Sequence, residues 1–487
     1  MTLAKSTCVW VAGWLLTAIV GGHLATGKDA DGAGPLRAGV SRVDSTPTQF
    51  PVSLVGSFTD RKAASAHDPL AVRCLVLDDG KERLAIAVVD ICILPREMCD
   101  EARRLASQST GIRPDHILIA ATHTHSAPPT AVLNDIPLDP AYPKMLVGKI
   151  REAIELAAGR LAPVKVGWGT TPLPGEVFNR RWVMKEGTIP LNPFGQPDKV
   201  QMNPGVANPN LARPAGPTDP DVSVVSLQSP SGQPVALLAN YSLHYVGDVP
   251  AGMLSADYFG EFCRQVESRL GGSGPTPPPL AILSNGTSGD VNNIDFRTPR
   301  QRGEAFSRIR HVAGQVSEAA LKIHAQAAYT DRVSLAMRER EIELAVRKPD
   351  AAGLEQAKQV IAKPDDKGLP RLARYYAQQA VRLSQYPDTV KIKIQALRVG
   401  QLGIVAIPCE VFAEIGLEIK RLSPLKPTFI IELANGYNGY LPSPEQHALG
   451  GYETWPATSA YLETNASRKI VATAIELLDQ VKPNASK

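Results

Sequence analysis

The run RLAIAVVDICIL at residues 83–94, the helical pattern at 97–106 and the run HILIAAT at 116–122 decide the reading of the fold. Both apolar runs are rich in β-branched residues and nearly continuous, as in strands covered on both faces. A helix between two such strands reads as a crossover on a sheet.

The same alternation continues outward. Leu146, Ile150, Ile154 and Ala157 fall on one helical face, and Gly159 stands where a helix stops. VSVVSLQ (222–228) and VALLANYS (235–242) flank a Ser-Pro-Ser-Gly turn and read as a hairpin. Residues 256–270 read as a helix and LAILSN (280–285) as a buried strand. Charged helices and one long strand-like stretch occupy 301–383, and residues 390–408 alternate like a hairpin turning at 400–403. TFIIELAN (428–435) is a last buried strand, a helix is expected over 411–420, and 457–481 reads as a closing helix. Residues 28–51, 187–220 and 271–279 read as loops. The expected architecture is one α/β domain, a single mixed sheet with helices on both faces and no internal repeat.

Composition narrows the function classes. The chain has 487 residues, 44% hydrophobic and 21% charged, which supports a large core. A formal net charge of +4, mixed charges and 6% aromatics give no footing for a nucleic-acid partner. Lys5 followed by the apolar stretch 8–22 reads as an export signal over residues 1–25, or as an uncleaved anchor. No later stretch has the apolar length of a membrane span. Removing Cys8 leaves five cysteines, an odd count that does not describe a disulfide framework.

Several polar residues stand where buried strands run out, the edge at which open α/β sheets build sites. His123 and His125 end the strand at 116–122, and on an extended backbone they point to the same side. The pair reads equally as two hydrogen-bonded loop histidines. His244 follows the strand at 235–242, and Glu410 follows the run GIVAIP-Cys409. Asn435-Gly-Tyr-Asn-Gly-Tyr440 follows the last strand and offers Tyr437 or Tyr440 inward. The polar loop 284–293 has the composition of a backbone-rich substrate loop, and equally of a plain one. Asp90 reads as a partner for a ligand histidine or as a strand-end turn former. His123, His244, Glu410 and Tyr440 together make a donor set that suits a tetrahedral Zn²⁺.

These motifs, in order, resemble those of the neutral/alkaline, non-lysosomal ceramidases. The resemblance rests on Arg37-Ala-Gly-Val-Ser, Thr122-His-Thr-His-Ser, Asn179-Arg180, His244, Gly289-Asp-Val, Pro408-Cys-Glu-Val and Ala434-Asn-Gly-Tyr-Asn-Gly-Tyr-Leu, and it spans residues 36–458. It implies a ceramidase-like catalytic domain over 36–482 and zinc held by His123, His244, Glu410 and Tyr440. It also implies His125 and Tyr452 at the reaction centre, and substrate contacts from Arg180 and from the Gly289–Asp290 loop. Two departures stand out. Asn292 occupies the catalytic loop position where the family carries a serine, and the chain ends without the length for the family's C-terminal sandwich domain.

The expected activity is zinc-dependent hydrolysis of a lipid or other small-molecule amide by an exported enzyme, without a membrane span in the mature chain. A zinc hydrolase of the same fold acting on a different amide or ester is the alternative. A non-catalytic exported binding protein would have lost the ligand residues, and all four are present.

Overall fold

The computed structural model describes residues 34–271, 278–299 and 303–483. The expected export signal lies outside them. The α/β organisation is built from three mixed sheets around one shared core. The N-terminal sheet runs Ile117–Ala121, Arg83–Val89, Ala71–Asp78, Arg37–Asp44, Ala162–Pro163. The middle sheet runs Leu280–Asn285, Pro234–Tyr241, Asp221–Gln228, Lys165–Pro172. The C-terminal sheet runs Thr428–Glu432, Leu402–Ile407, Thr389–Val399, Leu335–Ala345.

One unit recurs in all three. An antiparallel hairpin is followed by a helix and then by an edge strand parallel to the second hairpin strand. The crossover helices are Arg96–Thr110, Asp257–Gly271 and Ala413–Leu422. The first of them stops at Gly111, whose left-handed backbone (φ 73°) lets its N–H reach Ser107 O.

Strand alternation explains the layers. Ile86 and Val88 face the shared core, while Ala87 and Val89 pack outward under a helix. Phe429 and Ile431 face inward and Ile430 outward in the same way. Val225, Leu238 and Ile282 complete the shared core from the middle sheet. Each sheet therefore buries both faces, one against its neighbours and one against helices, so its strands read as continuous apolar runs. The helices cover the outer faces, and the inner faces meet one another.

The three parallel edge strands touch each other. Their register ends at equivalent pairs, Val89 with Ala121, Tyr241 with Asn285 and Ile407 with Glu432. Cys92, His244 and Glu410 stand at the same place, three residues beyond Val89, Tyr241 and Ile407. The recurrence is one of backbone, which is why the sequence carries no visible repeat.

The α/β class holds, but four details differ from the expectation. The strands form three mixed sheets and not one, with helices on the outer faces, because the inner faces pack on one another. Within the loop expected at 28–51, Arg37–Asp44 is a strand paired along its whole length with Ala71–Asp78. The expected loop 187–220 contributes Val200–Met202 and Leu211–Pro214, both paired with Arg181–Met184. The closing helix is Ala466–Val481, starting later than 457. Carbonyls of Thr454, Ala460 and Leu462 are turned onto the Arg347 guanidinium instead of into a helix.

All five described cysteines are free and buried. Among the described residues no helix is long and apolar enough to cross a membrane. Phe429 is fully buried where the sheets meet. Phe429→Ala should lower the unfolding free energy by about 3–5 kcal/mol, read from the midpoint of a denaturant melt.

Candidate metal centre

The rims of the three sheets bring His123, His244 and Glu410 together. After Ala121 the chain leaves the strand, and the His123 N–H donates to Ile91 O at 2.9 Å. His123 sits at φ 72°, a left-handed conformation that costs a non-glycine residue on the order of 1 kcal/mol. The rings of His123 and His125 do converge, but this strained turn brings them together, not the alternation of an extended strand.

Three imidazole nitrogens face one another. His123 Nε2 lies 3.1 Å from His244 Nε2 and 3.1 Å from His125 Nε2. Glu410 Oε2 is 3.5 Å from His123 Nε2 and 3.9 Å from His244 Nε2. The far side of each of these two rings is held by a carbonyl. His123 Nδ1 lies 2.8 Å from Cys92 O, and His244 Nδ1 lies 3.1 Å from Ser288 O. A carbonyl only accepts, so each Nδ1 carries a hydrogen, and Nε2 is the nitrogen that each ring turns toward the cluster.

The charges follow from burial and neighbours. Burial disfavours charge on all three imidazoles. His125 and His244 are pushed well below the usual histidine range by burial, by His123 and by Arg180. At His123, Cys92 and Glu410 outweigh burial and hold its pKa well above that range. Against the pull of burial, His123 and then Arg180 hold Glu410 below the usual carboxylate range. One proton therefore supplies the positive charge among these donors.

Other expected residues surround this cluster in different ways. Tyr440 is the backbone partner of Glu410, and its hydroxyl interacts with Glu410 and Arg180. Tyr437 donates its hydroxyl to Glu410 Oε1 at 3.0 Å. Tyr452 lies edge-on to Tyr440, ring centroids 5.7 Å apart, and His125 stacks on Tyr245 at 3.8 Å. Arg180 sits over the Tyr440 ring and is braced by Glu453 Oε1 at 3.1 Å and Gly289 O at 2.8 Å.

Four of the expected residues are engaged elsewhere. The Asp90 carboxylate takes Arg73 Nη1 at 2.5 Å and the Ala71 N–H at 2.9 Å, and it braces no candidate histidine. The Asn292 amide donates to Asn203 Oδ1 and accepts from the Ile294 N–H, each at 2.9 Å, so both ends hold the loop. Gly289 donates to Val411 O, and a Cβ there would lie 2.5 Å from Glu410 O, so its role is close packing behind Glu410. Asp290 takes the Ala413 N–H at the start of a helix and Asn179 Nδ2, both at 2.8 Å, which also makes it a brace. Asn240 and Asn285, which begin glycosylation sequons, are 3% and 0% exposed, so a folded chain has no room for a glycan at either.

Sequence reasoning missed several supports. Ser288 and the Cys92 carbonyl orient the two rings, Glu432 lies behind Ser288, and Glu453 bridges Arg180 and Arg181. Glu432 was visible as a charged residue inside the apolar run TFIIELAN, and a buried charge is the informative exception in a strand.

The fold is that of the neutral ceramidases. The chain is similar to the neutral ceramidase of Pseudomonas aeruginosa, 23% identical over 481 residues, covering 86% of this chain and 68% of that protein. The crystal structure of neutral ceramidase from Pseudomonas aeruginosa superposes with a TM-score of 0.69 at 19% identity, covering 93% of this chain and 76% of that one. A ceramidase complexed with C2 superposes with the same TM-score at 18% identity, covering 93% and 77%. No family model matches the chain.

Glu453 is fully buried between two buried guanidinium groups. Glu453→Gln should cost about 3–5 kcal/mol of stability in chemical denaturation, because it leaves a buried charge uncompensated. Burial outweighs the hydrogen bonds at Asp290 and raises its pKa to about 6. Between about pH 4 and pH 6 the folded chain then holds a proton that the unfolded chain has released, so this group's contribution to stability falls as pH rises. The stability difference between wild type and Asp290→Asn, measured by melts across that interval, should shift in favour of the variant.

Proposed function

We propose that the chain is a zinc-dependent amide hydrolase of the ceramidase type, acting on an N-acylsphingosine or a related N-acyl amide. The observation that carries this reading is the unpartnered Glu410 Oε2, buried and facing the inward nitrogens of His123 and His244. The ligand atoms of these three residues lie within 4.8 Å of one another. A buried carboxylate oxygen facing the Nε2 atoms of two rings, each with its Nδ1 tied to a carbonyl, is a donor set that fits a divalent cation displacing the shared proton.

His123, His244 and Glu410 would hold the ion, with Tyr440 as the fourth donor. A bound Zn²⁺ supplies Lewis-acid polarisation of the scissile carbonyl and acidified water. The chain's own groups do the rest. His125, stacked on Tyr245 and part-exposed, presents Nε2 for proton transfer between the nucleophile and the leaving nitrogen. Tyr452 and Arg180 carry donors toward the charge that develops on the carbonyl oxygen. The Glu453 carboxylate holds Arg180 in place, and the packing of Gly289 and Asp290 holds Glu410 and Arg180. Residues 36–482 act as one catalytic domain, and the Lys5 and 8–22 pattern supports export.

One observation favours a second substrate. With Asn292 engaged by Asn203 and Ile294, the loop presents no hydroxyl at that position, so the same chemistry on a different amide or ester is the alternative.

Purified protein should carry close to one zinc per chain by elemental analysis and release fatty acid from a labelled N-acylsphingosine. His244→Ala and Glu410→Gln should lose the metal and lower turnover by at least about 10³-fold, as removal of a main electrostatic contributor does. Zinc without release from that substrate would select the second reading. A protein with no metal would overturn both.

A further inference from the structure

Glu432 ends the edge strand of the C-terminal sheet and is fully buried. Its carboxylate faces only donors. Ser288 donates its hydroxyl to Oε1, the Ser288 N–H reaches Oε2 at 3.1 Å, and the Val411 N–H reaches Oε2 at 2.7 Å. None of its hydrogen bonds comes from a lysine or an arginine. Burial disfavours its charged form, and the three donated hydrogen bonds favour it. A carboxyl kept in such a place without an ion pair is costly, and a leucine would suit the strand better.

The partners of Glu432 show what it does. Ser288 belongs to the loop after the middle sheet's edge strand, and its carbonyl and hydroxyl lie 3.1 and 3.3 Å from His244 Nδ1. Val411 follows Glu410 directly. One carboxylate thus ties the supports of two candidate ligands that come from two different sheets.

We propose that Glu432 is a positioning residue that fixes the direction of the Ser288 hydroxyl and, through it, the tautomer of His244. With Glu432 accepting, the hydroxyl hydrogen points away from His244, and the oxygen accepts from Nδ1–H. His244 Nε2 is then free of hydrogen where it faces His123 and Glu410. The same carboxylate locks the Glu410–Val411 backbone. This inference rests on the metal-centre reading for its consequence, though the tautomer itself belongs to the chain alone.

Glu432→Gln separates direction from shape. The amide oxygen suits the two N–H groups, which leaves its NH₂ facing Ser288 Oγ. The hydroxyl must then accept, and its own hydrogen turns toward His244 Nδ1. That favours the Nε2–H tautomer, whose hydrogen occupies the place of the ion. Ser288→Ala removes the misdirected hydroxyl and leaves the carbonyl to hold Nδ1–H.

The test is competition titration of Zn²⁺ against a chelator, with the ¹⁵N signature of His244 measured in metal-free protein. Glu432→Gln should weaken zinc about ten- to hundredfold, in the range typical of lost outer supports. Ser288→Ala should weaken it less, and adding Ser288→Ala to Glu432→Gln should restore affinity to the Ser288→Ala level. A merely structural carboxylate predicts lower melting temperature in all three variants and no such rescue. Equal zinc affinity in wild type and Glu432→Gln, or an unrescued double variant, would overturn the proposal. If wild type bound no zinc, the metal-centre reading would fall. The His244 signature would then decide this one, with Nδ1–H in wild type and a mixture in Glu432→Gln supporting it, and an unchanged tautomer overturning it.

Discussion

Everything in this molecule depends on three parallel edge strands meeting one another. Each belongs to a different sheet, and each ends at the same level in its register. That shared level aligns three rims, so short excursions beyond Val89, Tyr241 and Ile407 suffice to place side chains in one small volume. The packing that aligns them is apolar and dense, which gives the rims little freedom to drift. A site assembled at such a junction inherits the rigidity of the core beneath it.

The polar layer over that junction is unusually rich in buried charge. Glu410, Glu432, Glu453 and Asp290 are each 2% exposed or less, and Arg181 is fully buried among them. Buried ionic groups seldom add net stability, because desolvation offsets much of the Coulomb attraction. Here they bind together segments that share no strand pairing. Glu453 joins the loop before the closing helix to Arg180 and Arg181, and Asp290 joins the middle sheet's rim to the helix after Glu410. The consequence is a hydrogen-bonded shell that links the three rims. Among those four carboxylates, Glu410 has an oxygen, Oε2, that takes part in no hydrogen bond.

Much of this was legible in the sequence. The β-branched runs named the buried strands, and the order of His123, His244, Glu410 and Tyr440 marked a candidate site. Both signals are local: a strand buried on two faces must be apolar along its length, and the first polar residues beyond it must lie at its rim. Locality also explains the misses. Arg37–Asp44 is polar enough to pass for a loop, and its strand character comes from its partner Ala71–Asp78. Asp90 has the right residue type at the right place, but Arg73, across the neighbouring strand, claims it.

By itself, then, the sequence determined the strands buried on both faces, roughly where they end and which residue types stand there, since burial and backbone periodicity act within a few residues. Only the tertiary structure decided that these strands form three sheets around a common core, that His123 turns inward through a left-handed backbone, and that Glu432, Ser288 and Glu453 support the centre. Those outcomes rest on contacts between residues distant in the chain, such as Ser288 with Glu432 and Arg180 with Glu453. No spacing along the chain encodes such a contact; packing and the pairing of buried polar groups select it.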